Sequence, residues 1–205
     1  MELYMIRKGI YAITDEFLIK DSELEQKVER AIIGGASIIQ LRDKYLDYSK
    51  KLERARRIRK ITKKYGVLFI INDDPILAKE VRADGVHLGK DEEYYLKFAR
   101  EMLRDKIIGV SCYGDIERAL FFQKLGVNYV AFGSVFPTKT KDSETIKTIE
   151  IFRWARSLLN IPIIAIGGIN KDNYKILVDM GVNIIAMVSA IFDGDPYENL
   201  RNFKL

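Results

Sequence analysis

Acidic and amide side chains follow an apolar, β-rich segment at Asn72-Asp73-Asp74-Pro75. Mg²⁺ binds one or two carboxylates and leaves its other positions to water and substrate phosphate. Asp74 also suits a helix N-cap with Pro75 at the first helical position. That reading leaves Asn72 and Asp73 to face a site, and it makes Asp73 a candidate metal ligand.

A second acidic segment, Gly89-Lys90-Asp91-Glu92, follows the next apolar run. Oxygen ligands from two adjacent strand ends would complete the protein's share of a magnesium site. Either acid could instead simply begin a helix, where a negative charge favours the dipole. The second metal ligand is therefore open between Asp91 and Glu92.

Two further segments combine cations with hydrogen-bonding groups. Gln40, Arg42 and Lys44 follow one apolar run, and the segment Pro137-Thr138-Lys139-Thr140-Lys141 alternates hydroxyls with ammonium groups. Such donors suit phosphate groups, and the alternative is a pair of ordinary charged loops.

Glycine and small residues end the last two apolar runs, at Ile166-Gly167-Gly168-Ile169-Asn170 and Met187-Val188-Ser189-Ala190. Bare backbone amides at the seventh and eighth strand ends form the usual phosphate site of an eight-stranded barrel. These two segments together predict a phosphate cradle.

The chain has one histidine, His87, and one cysteine, Cys112. Zinc needs three or four nitrogen or sulfur ligands, so we do not expect a zinc site. A Ser/His/Asp triad would need His87, and no nucleophile-elbow sequence accompanies it. We expect Cys112 to be a buried apolar residue and Ser111 to be a hydrogen-bond donor.

Composition predicts a cytoplasmic protein with a sizeable core. The 205 residues are 48% hydrophobic and 31% charged, with a net charge of +5. No apolar run approaches the roughly 20 residues that cross a bilayer, so we expect no membrane association. The interleaved charges argue against nucleic acid and fit small phosphorylated substrates. The sequence leaves open whether the chain forms a homo-oligomer.

Strand and helix patterns alternate along the chain and predict an α/β fold. Eight short apolar runs read as parallel strands: 10–14, 37–41, 67–72, 85–88, 106–111, 129–133, 163–167 and 184–188. Seven helical stretches lie between them, at 23–33, 48–64, 76–81, 93–103, 116–125, 149–159 and 173–180, and another helix is expected near Pro196. This repetition favours a (β/α)8 TIM barrel formed by residues 1–205 as one domain, over an open doubly wound sheet.

Glycine recurs where these helices end, as at Gly66, Gly126 and Gly181. A glycine there can adopt the left-handed backbone of a helix C-cap. Ala83-Asp84-Gly85 is interpreted as a variant of the same joint.

Taken in order, these segments resemble the thiamine phosphate synthase family. The resemblance runs from residue 10 to residue 195 and is carried by Gln40-Leu41-Arg42-Asp43-Lys44, Ile71-Asn72-Asp73, Asp84-Gly85-Val86-His87-Leu88-Gly89, Gly109-Val110-Ser111, Pro137-Thr138-Lys139-Thr140-Lys141, Ala165-Ile166-Gly167-Gly168-Ile169 and Val188-Ser189-Ala190-Ile191. It implies a barrel that joins hydroxymethylpyrimidine diphosphate to hydroxyethylthiazole phosphate and releases pyrophosphate with Mg²⁺. The implied mechanism is dissociative, with attack of the thiazole nitrogen on a pyrimidine-stabilised cation.

The resemblance also implies a role for each matching residue. Pyrimidine contacts would come from Gln40 and Asn72; diphosphate contacts from Arg42, Lys44, Ser111 and Lys141, of which Arg42, Ser111 and Lys141 would be catalytic; metal ligation from Asp73 and Glu92; and thiazole phosphate contacts from Thr138, Thr140, Gly168, Val188 and Ser189.

The sequence departs from the family pattern in three segments. Gly89-Lys90-Asp91-Glu92 stands for glycine-glutamine-glutamate-aspartate, Cys112-Tyr113 for alanine-histidine, and the glycine-free 142–147 for a glycine-containing segment. One alternative is the related thiazole tautomerase group, whose proton transfer would need an acid or base where Tyr113 stands. Another is a catalytically silent barrel that binds a phosphorylated metabolite.

Overall fold

Eight strands and nine helices alternate along the described part of the chain. The computed structural model describes residues 8–89, 92–137, 145–146, 148–201 and 203, with the side chains of residues 92 and 93 also left aside. The strands are β1 (Gly9–Ile13), β2 (Ala36–Leu41), β3 (Leu68–Asn72), β4 (Gly85–Leu88), β5 (Ile107–Ser111), β6 (Tyr129–Phe132), β7 (Ile163–Ile166) and β8 (Ile184–Met187). The helices are α1 (Leu24–Ile33), α2 (Tyr48–Tyr65), α3 (Pro75–Glu80), α4 (Glu92–Leu103), α5 (Ile116–Lys124), α6 (Ile151–Leu158), α7 (Tyr174–Asp179), α8 (Ser189–Phe192) and α9 (Pro196–Leu200).

The strands close into a barrel in which each pairs in parallel with the next. Closure is completed by β1 and β8, where Gly9 lies opposite Ile184 and Ala12 opposite Met187. The predicted (β/α)8 TIM barrel is therefore confirmed, and the open doubly wound sheet is excluded. That all of residues 1–205 belong to this one domain stays a prediction, because both chain ends reach beyond the described residues.

Strand and helix positions match the sequence predictions to within about two residues at each end. The sequence pattern missed α8, since a four-residue helix carries too little periodicity to recognise. The joint assigned to Ala83-Asp84-Gly85 was wrong. The left-handed residue there is Arg82, with φ of 53°. Gly85 lies inside β4, and only glycine fits at this position because a Cβ would overlap the carbonyl oxygen of Ile107.

Side-chain alternation separates two cores. Successive residues of a strand point to opposite faces, so one set fills the barrel interior and the other packs under the helices. The interior set is Tyr11, Ile13, Ile38, Ile70, Ile107, Tyr129, Ala131, Ile164, Ile184 and Ala186. The outer set is larger and includes Leu24, Val28, Ile58, Phe122 and Phe152 from the helices. The interior is therefore a packed plug, with any site lying at its end.

No helix among the described residues is long and apolar enough to span a bilayer.

Gly109 makes room for the ring of Tyr129 inside the barrel. A Cβ on Gly109 would overlap the Cζ and both Cε atoms of Tyr129, which is itself fully buried. The glycine is thus required by the close approach of a neighbouring side chain.

We expect Gly109→Ala to lower the free energy of unfolding by about 1–3 kcal/mol, since a packed interior must shift to accept one methyl group. Urea denaturation measures this. The matched control is Gly9→Ala, also in a strand, where the added Cβ would overlap only Ser37, whose hydroxyl can move aside by rotation about χ1 whereas the buried Tyr129 ring cannot. Equal losses in the two variants would contradict the packing argument.

Candidate active site

One large cavity opens at the carboxyl ends of the strands. Its volume of about 1930 Å³ exceeds the roughly 300–1,000 Å³ of a pocket for one small ligand, so there is space for two. Nine predicted site residues line it: Gln40, Arg42, Lys44, Asn72, Asp73, Ser111, Gly168, Val188 and Ser189. In particular, Asp73 and Gly168 face the same cavity.

Side chains alternate between the two faces of each strand, and this alternation places the predicted site residues at the cavity. On β2, the interior face runs from Ile38 to Gln40 and on to Arg42. On β5 it runs from Ile107 through Gly109 to Ser111. The buried apolar positions fix the register, and the next inward position beyond them becomes polar.

Asp73 joins the ends of β3 and β4. Its backbone lies in the left-handed region, with φ of 58°, a conformation in which aspartate is enriched. The backbone N–H donates to the carbonyl oxygen of His87 at 2.8 Å. One carboxylate oxygen accepts from the N–H of Gly89 at 2.7 Å and the other from Asn72 Nδ2 at 2.7 Å. These bonds fix the carboxylate at the cavity wall and leave lone pairs on both oxygens.

Asp73 is the only predicted metal ligand whose side chain belongs to the described part of the structure. That part of the chain contains no group of three or more His, Cys, Asp or Glu side chains placed to share a metal. Mg²⁺ needs only one or two carboxylates, so Asp73 remains a suitable ligand. Asp91 and the side chain of Glu92 lie outside the described part, and the second ligand stays a prediction.

Arg42 and Lys44 bring two cations to the cavity on the loop after β2. Glu16 holds this loop by accepting from the backbone N–H of Lys44 at 2.8 Å and of Tyr45 at 2.9 Å. Thr14 Oγ1 accepts from the N–H of Arg42 at 3.1 Å. No ion pair joins Arg42 or Lys44 to an acid within the described residues. Both cations are available to an anionic ligand.

Between these cations, Asp43 points away from the cavity and anchors the loop to α2. Its carboxylate accepts from Arg54 Nε at 2.7 Å, and both side chains are almost fully buried. Arg54 also donates to Asp21 at 3.0 Å. Burial raises the pKa of the Asp43 carboxyl, and the Arg54 charge opposes that rise. A buried pair of this kind depends on both partners being present.

The loop after β7 contains two glycines that no other residue could replace easily. Gly167 and Gly168 have φ of 101° and 63°. A Cβ on Gly167 would overlap Ser134, and one on Gly168 would lie 2.7 Å from the carbonyl oxygen of Phe136. Asn173 Nδ2 donates to the Gly168 carbonyl at 2.9 Å and holds the loop. No side chain could therefore be accommodated at Gly168, where the loop after β7 packs against the backbone of Phe136 and Pro137.

Beside this loop, β8 leads through Val188 into the first turn of α8. The first N–H groups of a helix have no intrahelical acceptor, and those of α8 begin at Ser189. Gly168, Val188 and Ser189 all line the cavity. The geometry is that of a phosphate-binding corner at the seventh and eighth strands of a barrel.

Comparison of the sequence with known proteins assigns the chain to a family. The family model described as thiamine monophosphate synthase matches residues 10–191. The chain belongs to the thiamine monophosphate synthase family. A thiamine-phosphate synthase of Thermoplasma acidophilum is 42% identical over 96% of this chain and 91% of its own length. That of Picrophilus torridus is 41% identical over 95% and 94%.

A solved structure gives the same assignment. The thiamine phosphate pyrophosphorylase from Pyrococcus furiosus superposes with a TM-score of 0.84 at 36% identity, covering 94% of this chain and 92% of that one. The family resemblance inferred from the motifs is thus confirmed.

Several predicted residues of this thiamine monophosphate synthase family member lie outside the described part of the chain. They are Thr138, Thr140 and Lys141, together with the neighbouring Lys139. Their roles stay predictions.

Cys112, directly after β5, is buried as expected, whereas the donor role of Ser111 at the end of β5 stays a prediction. Cys112 is fully buried, and this burial raises the pKa of its thiol to about 12, so it does not supply a thiolate nucleophile. Ser111 is half-buried and lines the cavity, where its hydroxyl can serve as the expected hydrogen-bond donor.

Sequence reasoning missed the contacts of His87, which lines the cavity, and of Tyr11 and Tyr129, which are buried beneath it. His87 was considered only as a zinc ligand or as the histidine of a triad, whereas its ring bonds to Ser111 Oγ at 2.9 Å and to the hydroxyl of Tyr129 at 3.0 Å. Tyr129 in turn bonds to Tyr11, 118 residues away in sequence. The available signal was a tyrosine in the inward register of two otherwise aliphatic strands.

We expect Arg54→Met to destabilise the protein by about 3–5 kcal/mol, because it leaves the Asp43 carboxylate buried without its partner. The double variant with Asp43→Leu should regain most of that loss. Urea unfolding of both measures the effect, and a double variant as unstable as the single one would contradict the role of the pair.

Proposed function

We propose that this protein joins hydroxymethylpyrimidine diphosphate to hydroxyethylthiazole phosphate, giving thiamine phosphate and pyrophosphate in a Mg²⁺-dependent transfer. Family membership supports the condensation itself. The observation that carries the proposal is that cations, an ordered carboxylate and a glycine phosphate corner line one cavity. An enzyme that joins two phosphorylated substrates needs both anion sites on the same rim.

Arg42, Lys44 and Ser111 are proposed to bind the diphosphate of the first substrate. Negative charge grows on a leaving diphosphate as its carbon–oxygen bond breaks. Fixed donors aimed at that charge stabilise the transition state more than the ground state. The bonds from Glu16 and Thr14 place the loop beforehand, so the cations need little rearrangement during the reaction.

Asp73 is proposed to hold Mg²⁺, with Glu92 or Asp91 as the second acid. The fit rests on the Asp73 carboxylate, which faces the cavity and is fixed by Gly89 and Asn72. A bound Mg²⁺ would supply additional positive charge next to the leaving diphosphate.

The corner formed by Gly168, Val188 and Ser189 is proposed to receive the thiazole phosphate, partly through backbone N–H groups. Thr138 and Thr140 would add hydroxyl donors, and Lys141 would join the diphosphate contacts. Gln40 and Asn72 would orient the pyrimidine. Holding both rings in register converts a bimolecular reaction into a positioned one.

The synthase reaction is favoured over the thiazole tautomerase alternative by Tyr113. This residue lines the cavity where the tautomerase would need an acid or base, and the guanidinium of Arg118 lies 5.9 Å from its ring centroid. An ordinary tyrosine hydroxyl is a weak acid and a poor replacement for histidine at neutral pH. We also propose a cytoplasmic location, supported by composition with a single buried cysteine.

The decisive assay follows thiamine phosphate formation from the two substrates with and without Mg²⁺. We expect product only with Mg²⁺, and a fall in kcat of about a hundredfold or more for Asp73→Asn, because the metal-binding charge is lost. Asparagine tolerates the left-handed backbone, so folding should be retained.

Asp74→Asn is the matched control for Asp73→Asn. Asp74 caps α3 by accepting from the Leu77 N–H, and asparagine caps equally well. Its turnover should stay near that of the parent protein. Equal losses in both variants would remove Asp73 from the metal site, and absence of product with retained thiazole phosphate binding would leave the silent barrel.

Arg42→Gln should lower kcat/KM for the diphosphate substrate about tenfold or more, through loss of a charge-assisted hydrogen bond, while the KM for thiazole phosphate stays unchanged. Steady-state kinetics with one substrate varied at a time separate the two. The control is Arg56→Gln, which removes an exposed arginine of α2 that forms an ion pair with Glu80 of α3. A matching change in both KM values would overturn the assignment of Arg42.

A further inference from the structure

A chain of hydrogen bonds crosses the barrel interior beneath the cavity. Gln40 Nε2 lies 2.7 Å from the hydroxyl of Tyr11, which lies 3.1 Å from that of Tyr129. The Tyr129 hydroxyl lies 3.0 Å from His87 Nδ1, and His87 Nε2 lies 2.9 Å from Ser111 Oγ. The two end residues, Gln40 and Ser111, line the cavity, as does His87, whereas Tyr11 and Tyr129 are buried beneath it.

The first bond sets the direction of the others. The amide nitrogen of Gln40 can only donate, so the Tyr11 hydroxyl accepts there. Tyr129 is the only other hydrogen-bond partner of the Tyr11 hydroxyl among the described residues, so the buried Tyr11 proton is satisfied only by donation to Tyr129. Tyr129 then donates to His87 Nδ1. A ring nitrogen that accepts a hydrogen bond carries no proton, so the proton of the neutral ring lies on Nε2, which donates to Ser111.

Two features keep this chain intact. Burial raises the pKa of both tyrosines, so each hydroxyl keeps the proton that the chain requires. The His87 ring also stacks on Tyr129 at 15° between planes, with centroids 5.6 Å apart, which holds both ring nitrogens in line with their partners. Hydrogen bonds that run in one direction also polarise and strengthen one another.

We propose that this chain has one polarity, running from Gln40 to Ser111, so that Ser111 presents its hydroxyl proton and Gln40 its carbonyl oxygen to the cavity. Ser111 already accepts from His87, which leaves its O–H to donate to an anion. Gln40 has its nitrogen occupied by Tyr11, which leaves its carbonyl oxygen to accept from an amino group on a heterocycle.

Tyr11, Tyr129 and His87 are therefore positioning residues that act through Gln40 and Ser111. The assignment of the anion as the diphosphate substrate rests on the proposed function. The polarity itself rests on the geometry alone, and it makes one structural feature control recognition at two separate points of the cavity.

The ring tautomer of His87 tests the polarity without any assay of activity. His87 is the only histidine of the chain, so the untagged protein labelled with ¹⁵N-histidine gives one pair of ring nitrogen signals. We expect the Nε2–H tautomer in the free protein and with Mg²⁺ and pyrophosphate added. An Nδ1–H tautomer or a doubly protonated ring would overturn the proposal.

Tyr129→Phe tests the connection to the anion. It should release the fixed tautomer and weaken binding of Mg²⁺-pyrophosphate, measured by calorimetry, by about 3- to 10-fold. In a Ser111→Ala background the same change should have no further effect, because the two residues act in series. Tyr174→Phe changes a buried tyrosine that is not part of the hydrogen-bond chain, so it should leave binding unchanged.

Additive losses from Tyr129→Phe and Ser111→Ala would show that Tyr129 does not act through Ser111. Failure of the proposed function gives a different result. The protein could form no thiamine phosphate and still show the Nε2–H tautomer, with no further effect of Tyr129→Phe on pyrophosphate binding in the Ser111→Ala background. That result would support the polarity of the hydrogen-bond chain and remove only the substrate assignment.

Discussion

Closure of the parallel barrel is the constraint on which the rest of the structure depends. Because all eight strands are parallel, their carboxyl ends lie on one side, and pairing of β1 with β8 closes these ends into a ring in which inward-pointing side chains face one another. The aliphatic plug below, with residues such as Ile38, Ile70 and Ile107, fixes the register of every strand. Charged and polar groups from distant parts of the sequence thereby line one cavity.

The sequence was sufficient to predict this arrangement because the signals are local. Apolar runs and glycine-ended helices give the strand and helix positions, and a residue after the last apolar position must lie at the rim. That reasoning placed Gln40, Asp73, Ser111 and Gly168 at the cavity they line. The same locality explains why the helix-end glycine predicted at Gly85 was wrong. Both a helix C-cap and a close approach to Ile107 require glycine, and the sequence does not distinguish them.

Features that depend on contacts between distant residues were not accessible from the sequence. The ion pair of Asp43 with Arg54 joins a loop to the inner side of α2, and the bond between Tyr11 and Tyr129 joins opposite parts of the barrel. Neither has a spacing that a single sequence reveals. Both lie behind candidate site residues: the ion pair anchors the loop that carries Arg42 and Lys44, and the tyrosine pair lies between Gln40 and His87.

The most direct test of the central claim is a crystal structure with Mn²⁺ in place of Mg²⁺, pyrophosphate and thiazole phosphate, the metal being located by its anomalous scattering. We expect both anions together in one cavity, with the metal and pyrophosphate near Asp73 and Arg42 and the thiazole phosphate on the backbone of Gly168 and Ser189. Either anion bound away from this rim, or a metal that does not contact Asp73, would contradict it.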